Sequence, residues 1–321
     1  MNLPPPAHYF PLRGGRYTIA PALRPLGTSF GNGAADECVF QFDRTFPEYR
    51  ANKLACREAP PRKHLDVSDP LLRHVAGFLL ERLPREHRDL FTLAADGDRR
   101  VLECRLTGER LTFDAETRLL QSSGAVRYEN AFDALACQVQ EDLAVMREGP
   151  GSENALIGYH ICAPTHWAPE EKAGCDFAAI HVPVPGIEPI NRAASGMVAA
   201  MVHRGPFVRF GWGLDTDRRL NRHPRPPAGV TEAEWAGPPF DATRPSPFVL
   251  RVERQVMWGF PEVSLALFSI RVYLTEGAEI RANPEYRAAL RSAVDGMSPE
   301  SRRYKGIAPY AEALLQWLGD P

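Results

Sequence analysis

The sequence predicts an α+β fold in which helices flank one mostly antiparallel sheet. Along the 321 residues, segments with apolar residues at helical spacing are interspersed with segments in which apolar and polar residues alternate strictly. The content of 44% apolar and 24% charged residues is that of an ordinary globular protein, and the chain is long enough for a large core. Prolines number 30 against 25 glycines, which predicts many stiff loops and strand ends.

The first half of the chain predicts an arm followed by the start of the main domain. Residues 1–60 are rich in Pro and Gly and predict an irregular arm, with a strand or two, that packs on a domain of residues 61–321. Apolar residues recur with helical spacing over 70–83 and predict a helix. In residues 100–122, apolar and polar residues alternate in short runs separated by turn residues, which predicts antiparallel strands. The helical spacing of apolar residues over 130–146 predicts a second helix.

The second half predicts further strands of the same sheet, one long loop and two terminal helices. The loop, residues 215–247, is polar and proline-rich. The predicted strands are 155–161, 177–182, 207–212, 248–257 and 265–274, and the predicted helices are 188–202, 284–294 and 310–318.

Charge and composition exclude several classes of partner. The 38 basic and 40 acidic side chains leave a net charge of −2, so a nucleic-acid partner is not expected. No run approaches 18 apolar residues and the N-terminus lacks a signal-peptide pattern, so we expect a cytoplasmic protein without a membrane span. The six cysteines form no C-x-x-C pair, which argues against a structural zinc site or an iron–sulfur cluster in this chain.

The motifs of common enzyme classes are also missing from the sequence. There is no Gly-x-Ser-x-Gly nucleophile motif, no Gly-x-Gly-x-x-Gly fingerprint and no Walker-type phosphate loop. We therefore expect the chain to bind neither NAD(P)H nor ATP.

His181 differs from the other histidines because it lies in an apolar segment, 178–184, that precedes two prolines. An imidazole there either has a buried hydrogen-bond partner or binds a metal. His160, His166, His203 and His223 are interpreted as surface or hydrogen-bonded core residues. Arg209 and Arg254 lie close to aromatic residues, so they could pair with an anionic ligand or tie a loop to a sheet edge.

Several segments together carry a resemblance to a known family. They occur in order along the chain: 139–143 (VQEDL), 162–174 (CAPTHWAPEEKAG), 180–185 (IHVPVP), 209–212 (RFGW), 254–261, 267–273 (LFSIRVY) and 304–306 (YKG). In these segments the sequence resembles the haem-dependent oxidative N-demethylases.

The resemblance implies a PAS-like sheet that folds around haem b, and an oxygenase subunit that removes a methyl group from a small secondary amine such as dimethylamine with O2. It places NADPH, FMN and the iron–sulfur cluster on separate reductase partners, and it leaves a homo-oligomer open. His181 becomes the axial iron ligand. Arg209 and Arg254 become candidates for the distal pocket or the haem propionates, and Trp167, Trp212 and Phe268 become candidate pocket walls.

One departure and two alternatives remain. Gly211 stands where the family pattern leads us to expect Asn, so a changed substrate is compatible with the sequence. The first alternative is a haem-binding sensor or ligand-binding module of the same fold without turnover. The second is a scaffold that has lost haem, in which His181 is a buried hydrogen-bonding residue.

Overall fold

Two antiparallel sheets organise the protein, whose computed structural model describes residues 2–12, 14–150 and 153–319. The strands found in these ranges are β1 Arg24–Pro25, β2 Leu65–Asp66, β3 Phe91–Asp96, β4 Arg99–Cys104, β5 Glu109–Phe113, β6 Leu119–Ser122, β7 Asp142–Arg147, β8 Ala155–His160, β9 Phe207–Asp215, β10 Val249–Phe260 and β11 Leu265–Glu276. The larger sheet has the order β1-β9-β10-β11-β7-β8-β2, and the smaller one is β3-β4-β5-β6. The predicted α+β class is therefore confirmed, while the PAS-like assignment stays a prediction.

Helices cover both sides of the larger sheet. Those in the described ranges are α1 Phe46–Glu58, α2 Leu72–Glu86, α3 Ala131–Ala136, α4 Phe177–His181, α5 Glu188–Arg192, α6 Ala194–Arg204, α7 Glu232–Ala236, α8 Gly277–Ala282, α9 Pro284–Asp295, α10 Pro299–Tyr304 and α11 Ala311–Gly319. Within the part of the chain that the structure describes, no helix is long and apolar enough to cross a membrane.

Several predicted elements are confirmed by the structure. The helix predicted over 70–83 is α2, which buries its apolar stripe in the main core. The alternating residues 100–122 form β4, β5 and β6. The late pair of strands is the hairpin β10–β11, paired without interruption from Val249 with Glu276 to Phe260 with Leu265.

The helix predicted over 130–146 is wrong in its second half. Asn130 caps α3 by accepting a hydrogen bond from the Asp133 amide, but the chain then leaves the helix and forms β7. Leu143 and Val145 fit the alternation of a strand as well as the spacing of a helix, so periodicity alone could not decide between the two elements. Pairing of β7 with β11 on one side and β8 on the other decides for the strand.

The N-terminal segment is more regular than an irregular arm. It contains α1, which the sequence did not predict, and it buries aromatic side chains such as Tyr9 and Phe40 in the clusters on the larger sheet. The division of the chain at residue 60 stays a prediction.

The register of β9 and β10 determines which side chains share a face of the larger sheet. Residues directly paired in antiparallel strands project to the same side. Arg209 pairs with Gln255 and Gly211 with Glu253, and this side is covered by α4 to α6. We call it the α4 face. Phe210 pairs with Arg254 on the opposite side, which the N-terminal segment covers and which we call the arm face.

Candidate functional site

His181 lies at the end of the short helix α4, not in a strand. The Asp176 side chain caps this helix by accepting a hydrogen bond from the Ala179 amide at 2.7 Å. The prediction of a strand over 177–182 is therefore wrong. A short apolar run fits a strand or one buried turn of helix, and the capping aspartate was the signal that could have decided.

The hydrogen bond of His181 determines which ring nitrogen is available. Nδ1 lies 2.7 Å from the Phe177 carbonyl oxygen, and the ring packs on that of Phe177 with centroids 4.3 Å apart. A carbonyl only accepts, so Nδ1 carries the proton and the neutral ring has its lone pair on Nε2. Among the described residues, no hydrogen bond reaches Nε2.

The surroundings of His181 also keep the imidazole neutral. Burial lowers the pKa of His181 below its usual value; the hydrogen bond to Phe177 opposes this, and the positive charges of Arg209 and Lys172 add to it. A neutral imidazole whose Nδ1–H is held by a backbone carbonyl is the form that ligates a metal through Nε2.

Arg209 is the second unusual side chain of the α4 face. Its Nε is buried and has no hydrogen-bond partner in the described structure. Burial lowers the pKa of Arg209, and Glu253 only partly opposes that effect. A buried guanidinium without an acceptor is costly, so an anion bound here would relieve the cost.

Glu253 lies in β10 close to Arg209 and is held by two neighbours. It accepts a hydrogen bond from the Thr165 hydroxyl, and its Oε2 accepts one from Gln255 Nε2 at 2.8 Å. Thr165 belongs to the loop after β8, and Arg251 Nε donates to its hydroxyl oxygen at 2.8 Å. The loop is thereby tied to the sheet.

Lys305, at the C-terminal end of α10, lies next to Trp212. It donates to the Trp212 carbonyl oxygen, and its Nζ lies 4.9 Å from the centroid of the Trp212 ring. Burial lowers the pKa of Lys305 to about 8, against the raising effect of Glu253. The sequence analysis assigned no role to Lys305, although the residue lies in one of the segments that carried the resemblance.

Trp167 and Phe268 line the apolar part of this face. Both are half-buried and pack against the cluster that contains Phe177 and Met257. Phe268 pairs with Met257 across the β10–β11 hairpin, so its side chain lies on the α4 face. Both residues lie where walls of a pocket next to α4 would be.

Arg254 and Trp212 lie on the arm face instead. Arg254 is 1% exposed and donates to the carbonyl oxygens of Cys38 at 2.7 Å, Val39 at 3.4 Å and Asp36 at 3.5 Å. The ring of Trp212 makes an edge contact with Tyr17 at 6.1 Å and packs on the C-terminal cluster. Strand alternation separates both side chains from His181 and Arg209.

Protein partners hold four of the other histidines: His160, His166, His203 and His223, the last of which pairs with Glu170 at 3.0 Å. His160 is fully buried, with Nε2 3.3 Å from Asp133 Oδ1 and Nδ1 3.6 Å from Cys162 Sγ. His166 pairs with Asp215 at 2.8 Å and His203 with Glu148 at 2.8 Å. The interpretation of these residues as structural or surface groups agrees with these contacts.

Two surface cavities lie elsewhere in the described structure. One, of about 250 Å³, lies between α1 and the 215–247 loop and is lined by Cys56, His64 and Trp235 among others. The other, of about 200 Å³, lies between the end of α6 and the β10–β11 turn. Neither is lined by His181 or Arg209.

The comparison with protein families gives one match. The model of the family described as haem-dependent oxidative N-demethylase, alpha subunit-like, matches residues 33–315. The chain belongs to this family. The description of this haem-dependent oxidative N-demethylase alpha subunit-like family indicates a haem-dependent oxidoreductase-like subunit, and it does not favour the sensor alternative.

Two groups on the α4 face are of the kinds that haem requires. Haem needs an axial ligand with a free lone pair and cations for its carboxylates, and His181 Nε2 and Arg209 have these properties. In this demethylase-like chain the two groups are also close enough for the charge of Arg209 to lower the pKa of His181.

Proposed function

We propose that this chain is the haem-binding oxygenase subunit of an oxidative N-demethylase, with its site on the α4 face. The observation that carries the proposal is the pair of unpartnered groups there. His181 Nε2 is an unprotonated ligand atom, and the half-buried Arg209 has a buried Nε without an acceptor. A metal-centred dianionic cofactor satisfies both at once.

The chain's own residues would position the cofactor. His181 would hold the iron of haem b through Nε2, while the Phe177 carbonyl fixes the ring and its tautomer. Arg209 would pair with a propionate, and Trp167 and Phe268 would exclude water from the apolar part of the site. Arg254 is the exception, since its three carbonyl partners favour a role in holding the N-terminal segment.

Haem supplies the oxygen binding and redox chemistry when it is bound. The substrate in this proposal is a small secondary amine of the dimethylamine type, and O2 is the oxidant. Electrons come from cytoplasmic reductase partners that carry NADPH, FMN and iron–sulfur sites, because this chain has none of the corresponding motifs.

The experiment that tests this proposal is haem reconstitution of the purified full chain, followed by a turnover assay. We expect a Soret band at one haem per chain, and formaldehyde from dimethylamine when a surrogate flavin and iron–sulfur reductase supplies electrons. A chain that shows no Soret band after reconstitution overturns the proposal. Haem binding without turnover of any methylamine would favour the sensor instead.

A further inference from the structure

The cavity of about 250 Å³ between α1 and the 215–247 loop combines apolar walls with positive charge. Apolar side chains form much of its wall: Ala55, Ala59, Pro60, Pro61 and Pro227. Among the described residues that line it, none is acidic and three are basic: Lys63, Arg219 and Arg225. An engineered cavity of about 150 Å³ holds benzene, so this one has room for a ring with a small substituent.

Arg219 brings a cation without a carboxylate partner to this cavity. Its Nη2 donates to the Trp235 carbonyl oxygen at 2.5 Å, and its guanidinium lies 4.1 Å from the centroid of the Trp235 ring. Its Nε is buried and has no hydrogen-bond partner in the described structure. Asp215 and Asp217 form ion pairs with Arg222 instead. Burial lowers the pKa of Arg219, the charge of Arg222 adds to this, and the two aspartates only partly oppose it.

Lys63 is the second cation of the cavity that no carboxylate of the described residues pairs with. It is half-buried and donates to a backbone carbonyl oxygen at 3.2 Å. Arg225 differs, because it is exposed and forms ion pairs with Glu170 and Glu171. Lys63 and Arg219 are therefore the charges that an anion in the cavity would meet.

The other polar groups of the wall are neutral. His64 Nδ1 lies 3.0 Å from the Ile161 carbonyl oxygen, and its Nε2 lies 3.2 Å from Asn221 Nδ2. Burial lowers the pKa of His64, and the hydrogen bond to Ile161 only partly opposes this, so the ring is uncharged at neutral pH. Asn52 Nδ2 donates to the Cys162 carbonyl oxygen at 2.8 Å. None of these groups supplies a negative charge to the two cations.

We propose that this cavity binds a small carboxylate with an apolar body, whose charge pairs with Lys63 and Arg219. An anion beside Arg219 would offset the cost of burying that guanidinium without a counter-ion, and guanidinium groups match carboxylates in geometry. The apolar walls favour a ring or a short hydrocarbon chain over a fully polar ion. This binding would be additional to the haem chemistry proposed above, since neither His181 nor Arg209 lines the cavity.

The test is a calorimetric titration of the purified full chain with sodium benzoate, and with benzamide as a neutral probe of nearly the same shape. We expect benzoate to bind and benzamide to bind more weakly. Arg219→Met removes the charge and keeps an apolar side chain, and it should weaken benzoate binding by about tenfold or more, the usual effect of losing a hydrogen bond to a charged group. Arg218→Met is the matched control, because Arg218 is exposed, pairs with Glu276 at 2.6 Å and does not line the cavity, so we expect no change.

A second variant keeps both cations and fills the cavity. Ala55 is an exposed residue of α1 that lines the cavity, so Ala55→Phe should fold normally and weaken benzoate binding. It decides the question if Arg219→Met, which also loses the contact with Trp235, disturbs the loop.

Three results would overturn the proposal: unchanged benzoate affinity in both variants, equal binding of benzamide, or no binding of benzoate by the wild type. Stronger binding of methyl phosphate than of benzoate would overturn the carboxylate as the ligand class.

Discussion

Arg209 and Arg254 lie in neighbouring strands of one sheet but project from its opposite faces. Arg209 pairs with Gln255, whereas Arg254 pairs with Phe210, so the two arginines are one register position apart. The Nε of each arginine has no acceptor in the described structure, but the terminal nitrogens of Arg254 donate to three backbone carbonyls beneath the N-terminal segment. Two residues that look alike in the sequence therefore have different expected effects when replaced.

Replacing Arg209 should stabilise the apoprotein and weaken haem binding. Arg209→Met removes a half-buried charge whose Nε has no acceptor, and it keeps most of the side-chain volume. We expect the free energy of unfolding of the apoprotein to rise by about 1 kcal/mol or more, from the unpaired charge that is removed. Urea denaturation and haem titration measure the two effects. A less stable apoprotein with unchanged haem affinity would contradict the assignment.

Replacing Arg254 should have the opposite pattern. Arg254→Met leaves the carbonyl oxygens of residues 36, 38 and 39 without their donor beneath the N-terminal segment. At about 1 kcal/mol for each lost partner, the free energy of unfolding should fall by about 3 kcal/mol. The same urea denaturation compares it with Arg209→Met, and a variant as stable as the wild type would show that these hydrogen bonds contribute little.

His181→Ala should abolish stoichiometric haem binding without unfolding the protein. The side chain is at the end of a short helix and makes one side-chain hydrogen bond in the described structure, to the Phe177 carbonyl oxygen, so the fold should tolerate its removal. The Soret absorbance after haem titration measures the loss. His166→Ala and His203→Ala are controls, because both histidines are exposed and pair with carboxylates. Full haem occupancy in His181→Ala would refute the ligand assignment.

Haem affinity should be constant through the neutral range and fall only in acid. Ligation needs an unprotonated Nε2, and burial lowers the pKa of His181 below the usual value of about 6.5. The neutral form therefore persists to a lower pH than in a free histidine, and protonation competes with iron only below that pH. Soret titrations between about pH 5 and 8, the range in which histidine titrates, would show the midpoint. A midpoint above 6.5 would contradict the prediction.

The buried Asp133 should make the fold sensitive to acid. Burial raises the pKa of Asp133, but hydrogen bonds from His160 and Arg57 outweigh this and hold it well below the usual value. A carboxyl with a depressed folded pKa contributes stability above its unfolded pKa of about 3.9, and this stability is lost as the pH falls.

Asp133→Asn tests this contribution. It breaks a buried pair and should cost about 3–5 kcal/mol at neutral pH. Its stability should also decline less steeply than that of the wild type below pH 4, about the unfolded pKa of aspartate. If the free energy of unfolding of the two proteins declines equally steeply in acid, Asp133 is not the group that makes the fold sensitive to acid.

Much of the fold could be predicted from local pattern. The apolar residues of α2 recur with the spacing of one helix face. The strands β10 and β11 are long and separated by a turn. The segment 130–146 failed because Leu143 and Val145 fit both periods. A short apolar run misled in the same way at α4, so His181 was singled out correctly as unusual but placed in the wrong kind of element.

By itself the sequence determined the α+β class, the family segments and the interest of His181, because periodicity, composition and motif order are local properties of the chain. Only the tertiary structure separated Arg209 from Arg254, since a shift of one position in strand register reverses the face on which a side chain lies. It also paired Gly211 with Glu253 across β9 and β10, and it placed the Lys305 ammonium against the carbonyl and ring of Trp212. These contacts arise from packing between distant segments, which no local pattern encodes.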